Sequence, residues 1–87
     1  MITKKVTIKN PSGLHMRPAG LFVKITSGFD SNVEFKFKDE IFNAKSMINV
    51  LSAMVKNGDE IELIVDGQDE KECIEAIVNA VESGLGE

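Results

Sequence analysis

Three segments of this chain alternate between apolar and polar residues, and that alternation predicts strands with one buried face. They cover residues 2–9, 33–38 and 60–65. Lys38-Asp39-Glu40 predicts a turn into a fourth, shorter strand at 41–43, although this turn has no glycine. Asp39 tolerates the positive φ of a tight hairpin better than most residues do, so we expect a hairpin here.

Three other segments place their apolar residues at helical intervals. The first covers residues 16–27, and the second is a short helix with Ser46 as its N-cap. The third follows Asp69 and Glu72, which resemble a capping box. It ends at residues 83–85 with the glycine stop and following hydrophobe of a Schellman motif.

The element order is therefore βαββαβα, and each element has one apolar face or stripe. The simplest arrangement is an α+β fold, a two-layer open-faced sandwich. A four-stranded antiparallel sheet would carry three helices on one face. A chain of 87 residues has room for one such domain, residues 1–87, with one modest core.

Composition argues against several classes of function. The net charge of −4 and a pI near 5.0 argue against nucleic-acid binding, and the absence of Trp and Tyr disfavours an RNA-binding sandwich. No segment has the length of a membrane span and none resembles a signal peptide, so we expect no membrane insertion and a cytoplasmic location.

Cysteine and histidine are too scarce for the usual metal and disulfide frameworks. Cys73 is the only cysteine, so no internal disulfide forms. It falls on the apolar side of the last helix, where a buried structural thiol is expected. With one histidine as well, a conventional zinc site is unfavourable. We expect no metal and no cofactor.

The candidate chemistry lies in residues 11–20, which contain the only histidine and the only arginine, two residues apart. Gly13 permits a tight turn, and Pro18 suits a first helical turn, so His15 should lie at or just before a helix N-terminus. Free amides, the helix dipole and Arg17 all disfavour a positive charge on the imidazole. The same groups would hold a phosphoryl group placed on the ring. The residue types thus predict a phosphoryl-accepting histidine, with an exposed helix cap as the alternative.

The run Gly13-Leu14-His15-Met16-Arg17-Pro18-Ala19 resembles the active-centre signature of HPr, the histidine-containing phosphocarrier family of the phosphoenolpyruvate-dependent sugar phosphotransferase system, in its Gram-positive type. Lys45-Ser46, before a short apolar helix, resembles the regulatory serine of that family. The length and the element order fit from end to end. The resemblance implies a strand order of 1-4-2-3.

The resemblance also implies a function. His15 would accept a phosphoryl group from phosphorylated enzyme I and pass it to IIA domains of sugar transporters. Such a protein is a carrier and has no turnover of its own, so we do not expect an enzyme. Phosphorylation of Ser46 would regulate it, which implies two further partners, an HPr kinase/phosphorylase and a catabolite-control regulator.

Site residues follow from the motifs and the resemblance. His15 and Arg17 would carry the chemistry. The residues expected to support the phosphoryl group are Ser12, Met16 and Pro18. The residues expected to dock partners are Met16, Gly20, Met47, Ile48 and Leu51. The apolar residues of the second helix are too many for one inward stripe, so some should be exposed.

Two positions depart from the pattern of Gram-positive relatives. Asn49 and Met54 stand where glycine is common in the family, which leaves the fit to regulatory partners open. A second hypothesis is a non-catalytic regulatory interaction module, an HPr paralogue without phosphoryl transfer. Paralogues that have lost carrier function lack the active histidine, whereas this chain keeps His15, Arg17 and Pro18. The transported sugars are not specified by the sequence.

Overall fold

The computed structural model describes all 87 residues and contains seven elements in the predicted order. They are β1 (Ile2–Thr7), α1 (Met16–Ser27), β2 (Asn32–Phe37), β3 (Glu40–Asn43), α2 (Met47–Ser52), β4 (Glu60–Asp66) and α3 (Glu70–Glu82). The predicted boundaries are confirmed to within two residues. None of the helices has the length and apolar character needed to cross a membrane.

The four strands form one antiparallel sheet in the order β1-β4-β2-β3. The three helices cover one face of it, so the predicted α+β open-faced sandwich is confirmed, as is the strand order. The uncovered face is mostly polar, with Ile41 and Ile64 as its apolar residues. Across it, Lys5 of β1 pairs with Glu62 of β4, which pairs with Lys36 of β2, a row of alternating charge.

The hairpin between β2 and β3 forms although its turn lacks glycine. Lys38 and Asp39 both adopt positive φ, 50° and 64°. Two successive residues of this kind match the right-handed twist of the flanking strands. The prediction for Asp39 is confirmed, and Lys38 shares the conformation because the two-residue turn needs it at both positions.

The core is one cluster of 20 buried hydrophobic residues between the sheet and the helices. At its centre, the Phe22 ring of α1 meets the Phe35 ring of β2 edge to face, with centroids 6.0 Å apart. Cys73 is fully buried in this cluster, and burial raises the pKa of its thiol. The predicted structural thiol is confirmed.

The predicted capping box at the start of α3 is wrong. Asp69 is the N-cap, but its carboxylate bonds to no helix amide. It accepts instead from the backbone N–H of Asp30 at 2.8 Å, from that of Ser31 at 2.9 Å, and from the Ser31 hydroxyl. Glu70, not Glu72, reaches back and accepts from the Gly67 N–H at 3.0 Å. The carboxylate of Asp69 thus ties the α1–β2 loop to α3, an arrangement called here the Ser31–Asp69 clamp.

The other end of α3 is as predicted. The backbone N–H of Leu85 donates to the Ala80 carbonyl oxygen at 2.9 Å, the long bond of a Schellman motif. Leu85 is buried in the core. This turn sends residues 86 and 87 back across the molecule, so that Glu87 meets the loop after β1.

Candidate functional site

His15 is the N-cap residue of α1. Its backbone is extended, with φ −74° and ψ −177°, and its carbonyl oxygen accepts from the Ala19 N–H at 2.8 Å. The imidazole makes no cap hydrogen bond and the residue is exposed. The structure therefore gives His15 the predicted position at the helix N-terminus, with a ring that is free for chemistry.

The loop before His15 is anchored on the turn after α2. The Leu14 N–H donates to the Val55 carbonyl oxygen at 2.9 Å, and the Asn57 side chain donates to the Asn10 carbonyl oxygen at 3.1 Å. Gly13 has φ +67°, and a Cβ there would lie 2.5 Å from the Val55 oxygen. Only glycine lets the loop approach this closely. The position of the imidazole is thus set by two segments that are distant in sequence.

Asn10 holds this loop from the inside, a role that its sequence neighbourhood did not predict. The residue is 2% exposed. Its Nδ2 donates to the Gly13 carbonyl oxygen at 2.7 Å and to Oε1 of Glu87 at 2.9 Å, while its Oδ1 has no partner. Asparagine is common in turns, so the sequence carried no signal of burial at this position.

Ser12 is bonded to the carboxylate of Glu87, which the sequence analysis also missed. The Ser12 backbone N–H lies 3.1 Å from Oε1, and its hydroxyl lies 2.8 Å from Oε1 and 2.7 Å from Oε2. Together with the Asn10 amide, these contacts form the Ser12–Glu87 clamp. The bonds from Asn10 and Ser12 lower the pKa of Glu87, and the positive charge of Arg17 lowers it further. No local pattern could connect two residues 75 positions apart.

The other predicted phosphoryl-supporting residues lie in the first turn of α1. Pro18 is buried there, as expected for a residue that needs no hydrogen-bond acceptor in that turn. Arg17 is exposed and forms no ion pair, so its guanidinium is available for an anion. Met16 is 71% exposed beside His15.

A mostly apolar cleft of about 250 Å³ opens beside the imidazole. Its walls are formed by Leu14, His15, Leu51, Met54, Val55 and Lys56. Met54 is 70% exposed and has φ 57°, a conformation that costs a side-chain-bearing residue about 1 kcal/mol. This left-handed conformation is the physical reason that glycine suits position 54.

Ser46 is the N-cap of α2, as predicted. Its Oγ accepts from the backbone N–H of Asn49 at 3.3 Å and from the Asn49 side-chain amide at 3.2 Å. The Asn49 Oδ1 in turn accepts from the backbone N–H of Asn43 at 3.3 Å. The Asn49 side chain therefore adds a second bond to the cap.

The predicted docking residues lie on neighbouring parts of α1 and α2. Ile48 is 80% exposed, whereas Met47 and Leu51 are half-buried against the core. A Cβ on Gly20 would lie 3.9 Å from the Met47 Cε, so the two helices meet there. Met16, Gly20, Met47, Ile48, Leu51 and Met54 are called here the α1–α2 face. The expected exposure of part of the α2 apolar set is confirmed.

No group of three or more His, Cys, Asp or Glu side chains in the structure could hold a metal ion. The chemistry available at the site is that of one imidazole, one guanidinium, the free amides of the first turn of α1, and the donors of residues 10–12. These groups favour an anion bound to, or placed on, His15.

Comparison with known proteins gives one consistent result. The family model described as "PTS HPr component phosphorylation site" matches residues 2–83. The HPr-like protein Crh of Halalkalibacterium halodurans is 37% identical over 82 residues, which cover 94% of this chain and 98% of that protein. The solved structure of HPr-C-His from Thermoanaerobacter tengcongensis superposes with a TM-score of 0.97 and 40% identity, covering 100% of this chain and 98% of that one.

One relative is much longer. The phosphoryl donor subunit DhaM of a PEP-dependent dihydroxyacetone kinase from Providencia stuartii is 34% identical over 99% of this chain. The chain spans only 18% of the length of that protein.

Proposed function

The chain belongs to the HPr family of phosphocarriers of the phosphotransferase system, and from that premise we propose that His15 is its phosphoryl acceptor. Members of this family carry phosphoryl groups between other proteins and are not enzymes in their own right. The observation that carries the proposal is the exposed imidazole of His15 at the N-cap of α1, which makes no cap bond and stands two residues from the unpaired guanidinium of Arg17.

The proposed step is a direct transfer between proteins. A ring nitrogen of neutral His15, Nδ1 by family resemblance, attacks the phosphorus carried by enzyme I. A new P–N bond forms, the bond to the donor breaks, and its electron pair remains with enzyme I. The other ring nitrogen keeps its proton. Transfer to a IIA domain is the same step with His15 as the leaving group.

Three kinds of group support the transferred phosphoryl group in this proposal. The free amides of the first turn of α1 and the helix dipole favour the added negative charge. Arg17 holds two phosphoryl oxygens with its planar guanidinium. Ser12 would supply a hydroxyl and an amide, Pro18 would keep the first turn in helical geometry, and the exposed Met16, next to His15 in the chain, would shield one side of the ring.

Enzyme I and the IIA domains would dock on the α1–α2 face. The face is largely apolar, its exposed Met16 and Ile48 flank the half-buried Met47 and Leu51, and it is continuous with the cleft beside His15. Flexible methionine side chains suit a surface that must fit several partners in turn. One surface would therefore serve both the donor and the acceptors.

The test is incubation with phosphoenolpyruvate and enzyme I, followed by intact-mass measurement at neutral and at acid pH. We expect one phosphoryl adduct at neutral pH that is lost in acid, because a phosphorus–nitrogen bond at histidine is acid-labile. His15→Ala should fold normally, since the residue is exposed, and should give no adduct. An adduct on His15→Ala would contradict the assignment.

A second candidate is a regulatory module of the HPr family without phosphoryl transfer, and the 37% identity to a protein described as HPr-like is compatible with it. The same experiment separates the two. The module predicts no adduct on the wild-type chain even when a known HPr accepts a phosphoryl group in a parallel reaction with the same enzyme I. The retained His15 and Arg17 favour the carrier.

We also propose that phosphorylation of Ser46 by an ATP-dependent kinase regulates the carrier and recruits a catabolite-control regulator. A phosphate on this N-cap would bond the free amides of α2 and the Asn49 side chain, which already donates to Oγ. It would place about two negative charges on the α1–α2 face. Docking of enzyme I should weaken, and the fold should not change.

The regulatory proposal is tested with Ser46→Asp and Ser46→Ala. We expect Ser46→Asp to accept phosphoryl groups from enzyme I more slowly than Ser46→Ala, because only the aspartate places charge on the face. Thermal unfolding serves as the control, since both variants should remain folded. Equal transfer rates would mean that Ser46 only caps α2.

A further inference from the structure

The carboxylate of Glu87 lies among the groups proposed to support the phosphoryl group. It accepts hydrogen bonds from the Ser12 hydroxyl and amide and from the Asn10 side chain. The positive charge of Arg17 is close enough to stabilise the carboxylate. Ser12, which is assigned to the phosphoryl group, therefore already bonds an anion in the unphosphorylated protein, and Arg17 acts on the same anion only through its charge.

A count of donors shows that the two anions compete. The Ser12 hydroxyl has one hydrogen, although its oxygen lies within 2.8 Å of both carboxylate oxygens. That hydrogen bonds either the carboxylate or a phosphoryl oxygen. The Asn10 amide is likewise committed, with one hydrogen to the Gly13 carbonyl and the other to Glu87. Ser12 can turn to a phosphoryl group only after its bond to Glu87 breaks.

Repulsion between the phosphoryl group and the Glu87 carboxylate also favours displacement of Glu87, as the shortage of donors does. A phosphoryl group on His15 carries close to two negative charges, and the Glu87 carboxylate is a third charge of the same sign beside shared donors. Glu87 is exposed, and all its bonds to Ser12 are at the surface. Water can therefore replace the Ser12 bonds at small cost when the carboxylate leaves, whereas the part-buried bond from Asn10 is the costlier one to lose.

We propose that Glu87 is a positioning residue that occupies the phosphoryl-supporting donors in the unphosphorylated state and is displaced when His15 receives the phosphoryl group. The inference rests on the proposed function and deepens it. Glu87 holds residues 10–12 in place for the arriving group, and its departure makes the phosphorylated state less favourable than it would otherwise be. The clamp thus sets how readily the carrier passes its phosphoryl group onward.

The thermodynamic consequence can be measured. An interaction present only in the unphosphorylated state opposes phosphorylation by its own free energy, so a variant without it should take a larger share of a limited supply of phosphoryl groups. For one exposed charged contact, the ratio of phosphorylated to unphosphorylated variant should exceed the same ratio for wild type about two- to five-fold. Glu87→Gln removes the charge and keeps an amide that can accept a bond, whereas Glu87→Ala removes both.

The experiment places two carriers in competition. Uniformly ¹⁵N-labelled wild type is mixed with an equal amount of unlabelled Glu87→Gln, a catalytic amount of enzyme I and half an equivalent of phosphoenolpyruvate. Intact mass at neutral pH then gives the phosphorylated fraction of each chain. Because enzyme I only exchanges phosphoryl groups between them, the final partition is an equilibrium that does not depend on how well either chain docks. Starting from either chain in its phosphorylated form should give the same ratio.

Glu82→Gln is the matched control. Glu82 is also an exposed carboxylate near the end of α3, and it pairs with Lys9, but it does not contact Ser12. Its variant should partition equally with wild type. We expect the ratio of phosphorylated to unphosphorylated chain to be about two to five times higher for Glu87→Gln than for wild type, and at least as high for Glu87→Ala.

The outcomes distinguish failure of the Glu87 displacement from failure of the proposed carrier function. Equal partition for both Glu87 variants, or a smaller share than wild type, would overturn the displacement while leaving the carrier intact. No adduct on any chain would overturn the carrier proposal and the inference together. A second measurement is the amide resonance of Ser12, which should move on phosphorylation of wild type in the direction that Glu87→Ala alone already moves it. An unmoved resonance would show that the clamp stays closed.

Discussion

Two carboxylates in this fold hold a serine by the same donors, its backbone N–H and its hydroxyl, yet they sit in different surroundings. Asp69 holds Ser31, which is 2% exposed and lies between α1 and β2. Glu87 holds Ser12 at the surface of the loop that leads to His15. Ser31 has no other anion to bond, whereas Ser12 has one whenever His15 is phosphorylated.

The difference shows how burial separates a structural contact from a functional one. Breaking the Ser31–Asp69 clamp leaves a buried hydroxyl and amide without partners, and that cost keeps it closed. Breaking the Ser12–Glu87 clamp returns the Ser12 groups and the carboxylate to water, which replaces most of what is lost, and only the Asn10 amide loses a part-buried bond. The same chemistry therefore locks one loop and, if Glu87 is displaced as proposed, gives the other loop two states. Three predictions test this contrast.

The largest expected effect comes from crowding the buried clamp. A Cβ at Gly67 would lie 2.5 Å from Oγ and 2.6 Å from Cα of Ser31, and the backbone there has φ +158°. We expect Gly67→Ala to lower the free energy of unfolding by about 3 kcal/mol, measured by urea denaturation, because backbone atoms must move. Phosphoryl acceptance by the folded fraction should be unchanged.

Gly58→Ala is the control for backbone strain alone. Gly58 also has positive φ, +91°, but nothing lies within 4 Å of its added Cβ. Its loss should be about 1 kcal/mol. Equal losses for the two variants would mean that the Ser31 contact does not contribute and that only the glycine conformation matters.

The second prediction is that removing the Ser31 hydroxyl mainly lowers stability, whereas removing the Ser12 hydroxyl mainly lowers phosphoryl transfer. Ser31→Ala should cost about 1 to 3 kcal/mol of unfolding free energy, since it removes a buried donor from a carboxylate, and should leave phosphoryl transfer intact. Ser12→Ala should shift the urea midpoint less and slow acceptance from enzyme I several-fold. Urea denaturation gives the unfolding free energy of each variant, and single-turnover transfer gives its rate of phosphoryl acceptance. A Ser12→Ala that transfers at the wild-type rate would remove Ser12 from the site.

The smallest effect is on the acid dependence of stability. Hydrogen bonds from Ser31 and Asp30 lower the pKa of Asp69, and bonds from Asn10 and Ser12 lower that of Glu87. Each carboxylate therefore adds stability that is complete above its unfolded pKa, about 4, and is lost as the pH falls toward the lower folded value.

Urea denaturation at pH 7 and pH 3 measures this loss. Asp69→Asn and Glu87→Gln should each make the drop between the two pH values smaller, and Asp69→Asn should reduce it more because its partner Ser31 is buried. A larger change for Glu87→Gln would reverse the ranking of the two clamps.

The local sequence pattern was sufficient to predict the helices and strands. It was insufficient to predict contacts between residues that are distant in the sequence. The periodicity of residues 16–27 predicts α1 because its stripe must face a core. The Asp69 capping box failed because Asp30 and Ser31, more than 30 residues away, offered its carboxylate better donors. Periodicity also leaves strand order open. The order 1-4-2-3 followed only from the family resemblance, since many pairings bury the same faces.

The candidate site divides in the same way. His15, Arg17 and Ser46 were predicted because each stands in a short motif with a local physical reason, a helix N-terminus or an N-cap. Asn10 and Glu87 were not, because their roles arise only when the Schellman turn after α3 brings the last residues back to the β1–α1 loop. The contact of Glu87 with Asn10 and Ser12 joins the two ends of the chain, and the sequence around neither end indicates it.

The distribution of methionines has a consequence for oxidative chemistry. None of the 20 residues of the core is a methionine, whereas Met16 and Met54 are 71% and 70% exposed on the proposed docking face. Peroxide would convert these thioethers to polar sulfoxides while the packing of the interior stayed intact. The carrier would then remain folded with a docking face that no longer matches its partners, and a methionine sulfoxide reductase could restore it. Oxidation and repair of these methionines would thus change the rate of phosphoryl transfer before they change the stability of the fold.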